Sequence, residues 1–338
     1  MPHLAQKKTD STTSALEKWR PLFEADLKAV DVEIHRLTQS EALLIPKLAE
    51  HLIASGGKRL RPVLTVLSAR LCGYKGGNRH VKLAASIEFI HSATLLHDDV
   101  VDESTLRRGE KTANNIWGNA ASVLVGDFLL SRAFQLMAQD GNVKVLELLS
   151  DSSAIISEGE VMQLMAIADL EATKETYLKI ITAKTAQLFA AAAAVGGLIT
   201  DKPEKDVKAL DVYGRALGVA FQMVDDALDY SAKQERLGKT VGDDFREAKM
   251  TLPVLLAYAK ADAKEKAFWE RVMVSGTQEK TDLPEAIRLI QKHEVLKEVM
   301  AEAQAYAERA KAAISGFPDS QEKQALLDLA DFAVNREF

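Results

Sequence analysis

The sequence predicts an all-α fold, and three observations carry that reading. From Ala15 onward the apolar residues recur mostly three and four positions apart, as at Ile87 and Ile90 with Ala84 and Ala85 one turn earlier, which is the spacing of a helix face. Stretches that alternate apolar and polar residues as strands do are scarce, and the long segments are dominated by Ala, Leu, Glu, Lys and Gln, all good helix formers. Only 8 prolines interrupt the 338 residues.

Turn-favouring clusters mark the helix boundaries: Ser55-Gly56-Gly57, Gly73 to Asn78, Arg108-Gly109, Asp140-Gly141, Asp169 to Thr173, Thr200 to Pro203, Leu237 to Asp244 and Ser275 to Leu283. Between them lie about ten helical segments or more, several of which run past ~20 residues and so reach ~30 Å, long enough to wall a deep central cavity. No Pro/Gly/Ser-rich linker and no short repeat divides the chain, so residues 15–338 are expected to form a single helical bundle, with residues 1–14 as a flexible tail.

Composition narrows the function classes. The chain is 47% hydrophobic and 27% charged with a net charge of -6, and its Lys and Arg are scattered, so nucleic acid is not an expected partner. Cys72 is the only cysteine, which excludes an intrachain disulfide and a cysteine zinc site and fits a cytoplasmic protein. No secretory signal is read at the N-terminus, and no stretch is read as long and apolar enough to cross a bilayer. The Ala-rich run from Leu188 to Val195 reads as tight helix packing.

The chemistry concentrates in two acidic motifs. In Asp98-Asp99-Val100-Val101-Asp102, the first and last Asp lie one helical turn apart on the same face. Like charges at that spacing repel, so a cation between them is needed; Mg2+ takes oxygen ligands from one or two carboxylates and fills the rest of its shell with water and phosphate. A second copy, Asp225-Asp226-Ala227-Leu228-Asp229, follows another apolar stretch. Either copy alone could be a solvated helix face; two behind apolar helices point to a carboxylate cage for several ions, with Mn2+ as an alternative to Mg2+.

Basic residues follow each motif: Arg107 and Arg108 after the first, Lys239 and Lys249 after the second. Carboxylates that hold a metal, a metal that holds phosphate oxygens, and Arg or Lys covering the remaining charge make the logic of a diphosphate site. Gly56-Gly57-Lys58-Arg59-Leu60-Arg61-Pro62 opens another helix; it lacks P-loop spacing and reads either as an anion site or as an ordinary turn.

In this order, together with His91, Lys184-Thr185, Phe221-Gln222 and Gly238-Lys239, these residues resemble the trans-isoprenyl diphosphate synthase (polyprenyl synthetase) family from about Gly56 to Pro253. The resemblance implies the isoprenoid synthase fold and a Mg2+-dependent prenyltransferase acting on isopentenyl diphosphate and an allylic diphosphate. By the same resemblance Asp98, Asp102 and Asp225 hold the metal, with Asp99, Asp226 and Asp229 in support. Lys58, Arg61, His91 and Arg108 bind isopentenyl diphosphate, and Arg107, Lys184, Lys239 and Lys249 bind the allylic diphosphate. Thr185 and Gln222 then lie near the allylic cation. Taken singly, His91 also reads as a core histidine, Lys184-Thr185 as a surface pair and Gln222 as a buried polar residue. His97 carries no implied role and reads as structural. One departure stands out: Ala248 occupies a place where the family usually has Gly, which puts the placement of Lys249 in question.

Product length is expected to depend on what lies beneath the first motif. Ala93 precedes Asp98 by five residues, placing it ~7 Å deeper on the same helix. Short-product relatives tend to carry an aromatic ring there, whereas Ala93 and Thr94 are small. The same resemblance puts Met137 and Leu149 near the floor, although both also read as ordinary core. The run Ala121 to Met137 looks most like the bacterial long-chain branch, which implies an octaprenyl to decaprenyl product started from farnesyl or geranylgeranyl diphosphate and used for a quinone side chain. The resemblance also implies a homodimer; peripheral membrane contact is a separate expectation, from release of an apolar product. Rival readings are a shorter-chain (geranylgeranyl or farnesyl) synthase, a noncatalytic helical partner subunit, and a terpene cyclase, against which the plain second Asp motif and the second diphosphate site argue.

Overall fold

A computed structural model describes residues 16–54, 57–107, 109–231 and 241–335. Helix α1 (Glu24–Thr38) buries Val30, Ile34 and Leu37 along one stripe, and α2 (Leu44–Ala54) follows. The next helix, α3 (Leu60–Leu71), starts after Arg59, which takes a left-handed conformation at φ 48 and pairs with Glu88 and Asp31. It is buried at Leu60 and from Pro62 to Ala69, leaving Arg61 at the edge. α4 (Arg79–Val101) buries residues on every face from His80 to Leu96, so it lies inside the molecule rather than on it.

A two-strand antiparallel hairpin, β1 (Leu106–Arg107) and β2 (Glu110–Lys111), leads into α5 (Ala113–Trp117) and α6 (Asn119–Asp140). Gly141, at φ 74, ends α6 in the left-handed conformation that glycine adopts without strain. The side chain of Asn142 then caps α7 (Val143–Met165), accepting from the Lys144 and Val145 amides.

Thr173 caps α8 (Lys174–Ile181), which passes through a π-helical turn at Thr182–Ala186 into α9 (Gln187–Leu198). α10 (Glu204–Leu228) is the longest helix described, followed by the single turn α11 (Asp243–Arg246) and by α12 (Leu252–Lys260), which has Pro253 in its first turn. A capping box between Asp262 and Glu265 opens α13 (Ala263–Trp269), and α14 (Asp282–Lys292), α15 (Val295–Ala313) and α16 (Gln321–Val334) complete the chain.

Packing centres on α4 and α10. α4 lies against α6 and α3, α9 against α3 and α10, and α10 against α15. The first half of α10, at Leu210, Tyr213 and Leu217, joins one apolar cluster with α1, α3, α4, α6, α7, α9 and α16. Its second half, from Val219 to Leu228, joins another with α8 and α12 to α15, and Tyr306 packs against both. Two glycines let backbones meet: a Cβ on Gly196 would lie 2.4 Å from the Ala69 amide, and one on Gly214 would lie 2.3 Å from the Phe189 carbonyl.

The all-α expectation and each predicted break among the described residues agree with this architecture. Sixteen α-helices appear among the described residues, in keeping with the expected ten or more. The number includes the short helices α5 and α11 and a break that no Gly or Pro announces at Lys260-Ala261-Asp262, where the Asp262 side chain caps the start of α13. One further expectation is corrected. The π turn joins α8 to α9 in a continuous 25-residue stretch, Lys174–Leu198, which with α6 is long and apolar enough to cross a membrane. Within the fold 72% of the apolar window of the first is buried, as in a core helix, against 44% for α6.

Candidate active site

Both central helices end in an acidic motif. α4 carries Asp98, Asp99 and Asp102 at its C-terminus, α10 carries Asp225, Asp226 and Asp229, and neither has a basic residue in its last turn. A helix C-terminus is the negative end of its dipole, so carboxylates there are disfavoured unless cations come from elsewhere. Burial pushes the Asp98 carboxyl above its ordinary range; the nearby charge of Lys184 opposes that rise and Asp102 adds to it.

The six aspartates divide into two sets. Asp99 is 1% exposed and accepts from Arg107 Nε at 3.0 Å and Nη2 at 2.8 Å, so this Arg holds the hairpin onto α4. Asp226 is buried and accepts from Tyr177 Oη at 2.6 Å and Gln222 Nε2 at 2.7 Å; burial pushes its carboxyl up to about 7, against both hydrogen bonds. Asp229 accepts from the amides of Gly242, Asp243 and Asp244 at 2.9 to 3.2 Å and so caps α11. Asp98, Asp102 and Asp225 are partly exposed.

Two consecutive residues of the π turn link the motifs. Lys184 Nζ lies 2.6 Å from Glu160 Oε2 and 3.8 Å from Asp98 Oδ2. Its neighbour Thr185 donates to Gln222 Oε1 at 2.9 Å, and the other end of Gln222 reaches Asp226. Consecutive helical residues point about 100° apart, so the two side chains face different helices, and the π turn adds one residue to the turn that carries them. The turn is held from both sides by glycines: a Cβ on Gly159 would lie 2.8 Å from the Lys184 amide, and one on Gly218 would lie 2.6 Å from the Ala186 Cα.

Lys249 makes a second link, with Nζ 2.9 Å from Asp102 and also paired with Glu247. Although burial disfavours its charge, the two carboxylates hold it firmly protonated. Ala248 does not displace it: the residue takes φ 50, the left-handed conformation in which a glycine would be unstrained, and its carbonyl accepts from the Ala168 amide.

A cleft of about 120 Å³ opens beside these groups, lined among others by Tyr177, Lys184, Thr185, Gln222, Asp226, Asp244 and Lys249; Asp98, Asp102 and Asp225 are not among its lining residues. Of the other expected binding residues, Lys58 is exposed with its ammonium 4.9 Å from the Phe332 ring centre, and Arg61 stacks 4.6 Å from that of Phe189. His91 is half-buried two turns before Asp98 on α4. Arg108 and Lys239 lie outside the described residues. Ala93, Met137 and Leu149 are buried in the apolar core, and Thr94 donates to the His91 carbonyl; none of the four lines this cleft.

Sequence reasoning missed Glu160, Tyr177, Asp244 and Glu247. Tyr177 stands two turns before Lys184 on one continuous helix, a spacing that could have revealed it. Glu160 comes from a separate helix, and no spacing announces it. Burial, together with the Asp98 charge, pushes the Glu160 carboxyl up to about 7 despite Lys184.

Among the described residues no group of three or more His, Cys, Asp or Glu side chains is gathered to hold a metal by itself. The arrangement still fits Mg2+: hard carboxylate oxygens stand at two helix C-termini, several have their charged forms disfavoured by burial, and Mg2+ needs only one or two of them when phosphate completes its shell.

Comparison with known proteins gives concordant findings. The family model described as Polyprenyl synthetase matches residues 43–290. The chain is 45% identical over 322 residues to the octaprenyl diphosphate synthase of Escherichia coli K12, covering 95% of this chain and 99% of that enzyme. A decaprenyl diphosphate synthase from Rhodobacter capsulatus is 50% identical with a TM-score of 0.90, covering 95% of this chain and 98% of that one. A polyprenyl synthase from Caulobacter crescentus, solved with calcium and isoprenyl diphosphate, is 49% identical with a TM-score of 0.92 and covers 98% of this chain and 100% of that one.

Proposed function

The chain belongs to the polyprenyl synthetase family, and from that premise we propose how this cleft performs long-chain trans-polyprenyl diphosphate synthesis. The chain is a prenyltransferase: it joins an allylic diphosphate to successive isopentenyl diphosphates, and we assign it an octaprenyl to decaprenyl product that becomes a quinone side chain. The observation that carries the assignment to this cleft is the π turn, whose Lys184 faces the first acidic motif while Thr185 connects to the second through Gln222.

Asp98, Asp102 and Asp225 would hold Mg2+, with Asp99, Asp226 and Asp229 fixing the local backbone and helix ends. Bound there, the ions supply charge neutralisation for the departing diphosphate, lowering the barrier to the allylic cation. Lys184 and Lys249 hold two positive charges beside the same carboxylates, where the leaving oxygens gather. Thr185 spends its proton on Gln222, which leaves its oxygen lone pairs free to face the cation. Lys58, Arg61, His91 and Arg108 receive isopentenyl diphosphate, whose double bond attacks the cation carbon. The proton then released passes to the freed diphosphate, so no protein nucleophile is required. Ala93 and Thr94, both small, leave room for a growing chain beneath the first motif, with Met137 and Leu149 near its floor.

We further propose a homodimer through α6, on which Val123, Leu124 and Phe134 are exposed, with Ile116 beside them. Release of so apolar a product would bring the enzyme into peripheral contact with a membrane. The test of function is an incubation of the purified chain with Mg2+, farnesyl diphosphate and labelled isopentenyl diphosphate, with products sized by chromatography. Octaprenyl to decaprenyl products that vanish on chelation are expected. Shorter products would overturn the chain-length assignment, activity only after adding a second protein would indicate a partner subunit, and turnover without isopentenyl diphosphate would indicate a cyclase.

A further inference from the structure

The first acidic motif has a lysine beside each of its outer aspartates, and the two lysines stand differently. Lys249 touches Asp102 at 2.9 Å, whereas Lys184 stands 3.8 Å from Asp98, drawn toward Glu160 at 2.6 Å. Attraction falls as the inverse of distance, so Glu160 pulls on this ammonium roughly half again as strongly as Asp98 does.

We propose that Glu160 is a positioning residue that holds Lys184 back from Asp98, keeping that carboxylate open to a divalent cation. The inference rests on the reading of Asp98 as a metal ligand. Three observations support it. Glu160 reaches the ammonium from α7, a helix that carries neither acidic motif, and can do so because Gly159 has no side chain to hold α7 off the π turn. Its second oxygen, Oε1, is buried without a hydrogen-bond partner, so Lys184 on Oε2 is the hydrogen-bond contact through which this carboxylate acts. Asp102 already pairs with Lys249, which leaves Asp98 as the carboxylate onto which a released Lys184 would close. An ammonium in contact with Asp98 competes directly with a metal ion for the same oxygens.

Mn2+ binding in the presence of inorganic pyrophosphate, followed by the electron paramagnetic resonance signal of the free ion, tests this without turnover. Glu160→Ala should weaken Mn2+ binding ~2–5-fold, the effect of one contact ion pair. Glu160→Gln, which keeps an acceptor for the ammonium and is nearly isosteric, should weaken it less. The double variant Glu160→Ala/Lys184→Ala should bind as Lys184→Ala does, because no lysine remains to compete. A merely structural role for Glu160 would weaken binding whether or not Lys184 is present, and that result would overturn the proposal, as would wild-type affinity in both Glu160→Ala and Glu160→Gln. Failure of the wild-type chain to bind Mn2+ with pyrophosphate would remove the metal reading and this one together; binding by wild type with no response to Glu160 removes this one alone.

Discussion

Replacing Gly159 by Ala tests whether the π turn is held where catalysis needs it. The added Cβ would lie 2.8 Å from both the Ala183 Cβ and the Lys184 amide. Ordinary contact begins near ~3.5 Å, so α7 and the turn must part by ~0.7 Å or more, and overpacking of this kind costs about 1–3 kcal/mol. The neighbour that must give is backbone, so a side-chain rotation cannot absorb the strain. Because Lys184 and Thr185 ride on that backbone, the displacement passes directly to the groups we propose for contact with the leaving diphosphate and the cation. A misplacement approaching ~1 Å can lower kcat by ~100-fold. Steady-state elongation with farnesyl and isopentenyl diphosphates should show kcat reduced ~10-fold or more, with the melting temperature lowered by several degrees, ~2–4 °C for each kcal/mol. Gly316→Ala, where a Cβ meets nothing within 4 Å, is the matched control. Wild-type kcat in Gly159→Ala would refute the claim that the position of the π turn limits the chemistry.

Other variants probe separate parts of the account. Ala248→Gly relieves a left-handed alanine, a strain of roughly 1–2 kcal/mol, against ~0.5–1 kcal/mol of extra chain entropy lost on folding; a melting temperature raised by a few degrees at most is expected, with KM for the allylic diphosphate unchanged because Lys249 stays between Asp102 and Glu247. Ala93→Phe should shorten the products on chromatography, and an unchanged length distribution would refute the reading that Ala93 leaves room for the growing chain. Glu265 accepts from Lys292, His293 and the Asp262 amide, which lower its carboxyl to about 2. A carboxyl lowered on folding stabilises the protein above its unfolded value of ~4.3, and that stabilisation is lost as pH falls from there through about 2. Glu265→Gln should therefore be less stable than wild type at neutral pH and flatten the loss of stability across that window, as read from chemical denaturation at each pH.

Much of the fold was legible because helix formation and burial are written locally. Gly141 stops α6 and Thr173 starts α8 by their own chemistry, whatever packs against them. A break missed in the sequence is the one before α13, where the Asp262 side chain caps the start of that helix and no Gly or Pro announces the end of α12. The π turn was illegible for a related reason: Thr182 to Ala186 has ordinary helical composition, and only the close approach of Gly159 and Gly218 from other helices accompanies the extra residue. In the site, the acidic motifs could be read because each is contiguous. How the six aspartates divide could not, since Arg107, Tyr177 and the α11 amides that take up three of them come from elsewhere in the chain. Glu160 is the extreme case, a residue whose place beside Lys184 exists only once α7 has docked.

We propose that the acidic ends of α4 and α10 share divalent ions around one diphosphate. Anomalous scattering from crystals grown with Mn2+ and inorganic pyrophosphate tests it most directly. The account predicts manganese peaks bound by Asp98 and Asp102 on one side and by Asp225 on the other, all touching the same pyrophosphate. Peaks confined to one motif, or pyrophosphate bound with no metal between it and either motif, would contradict it.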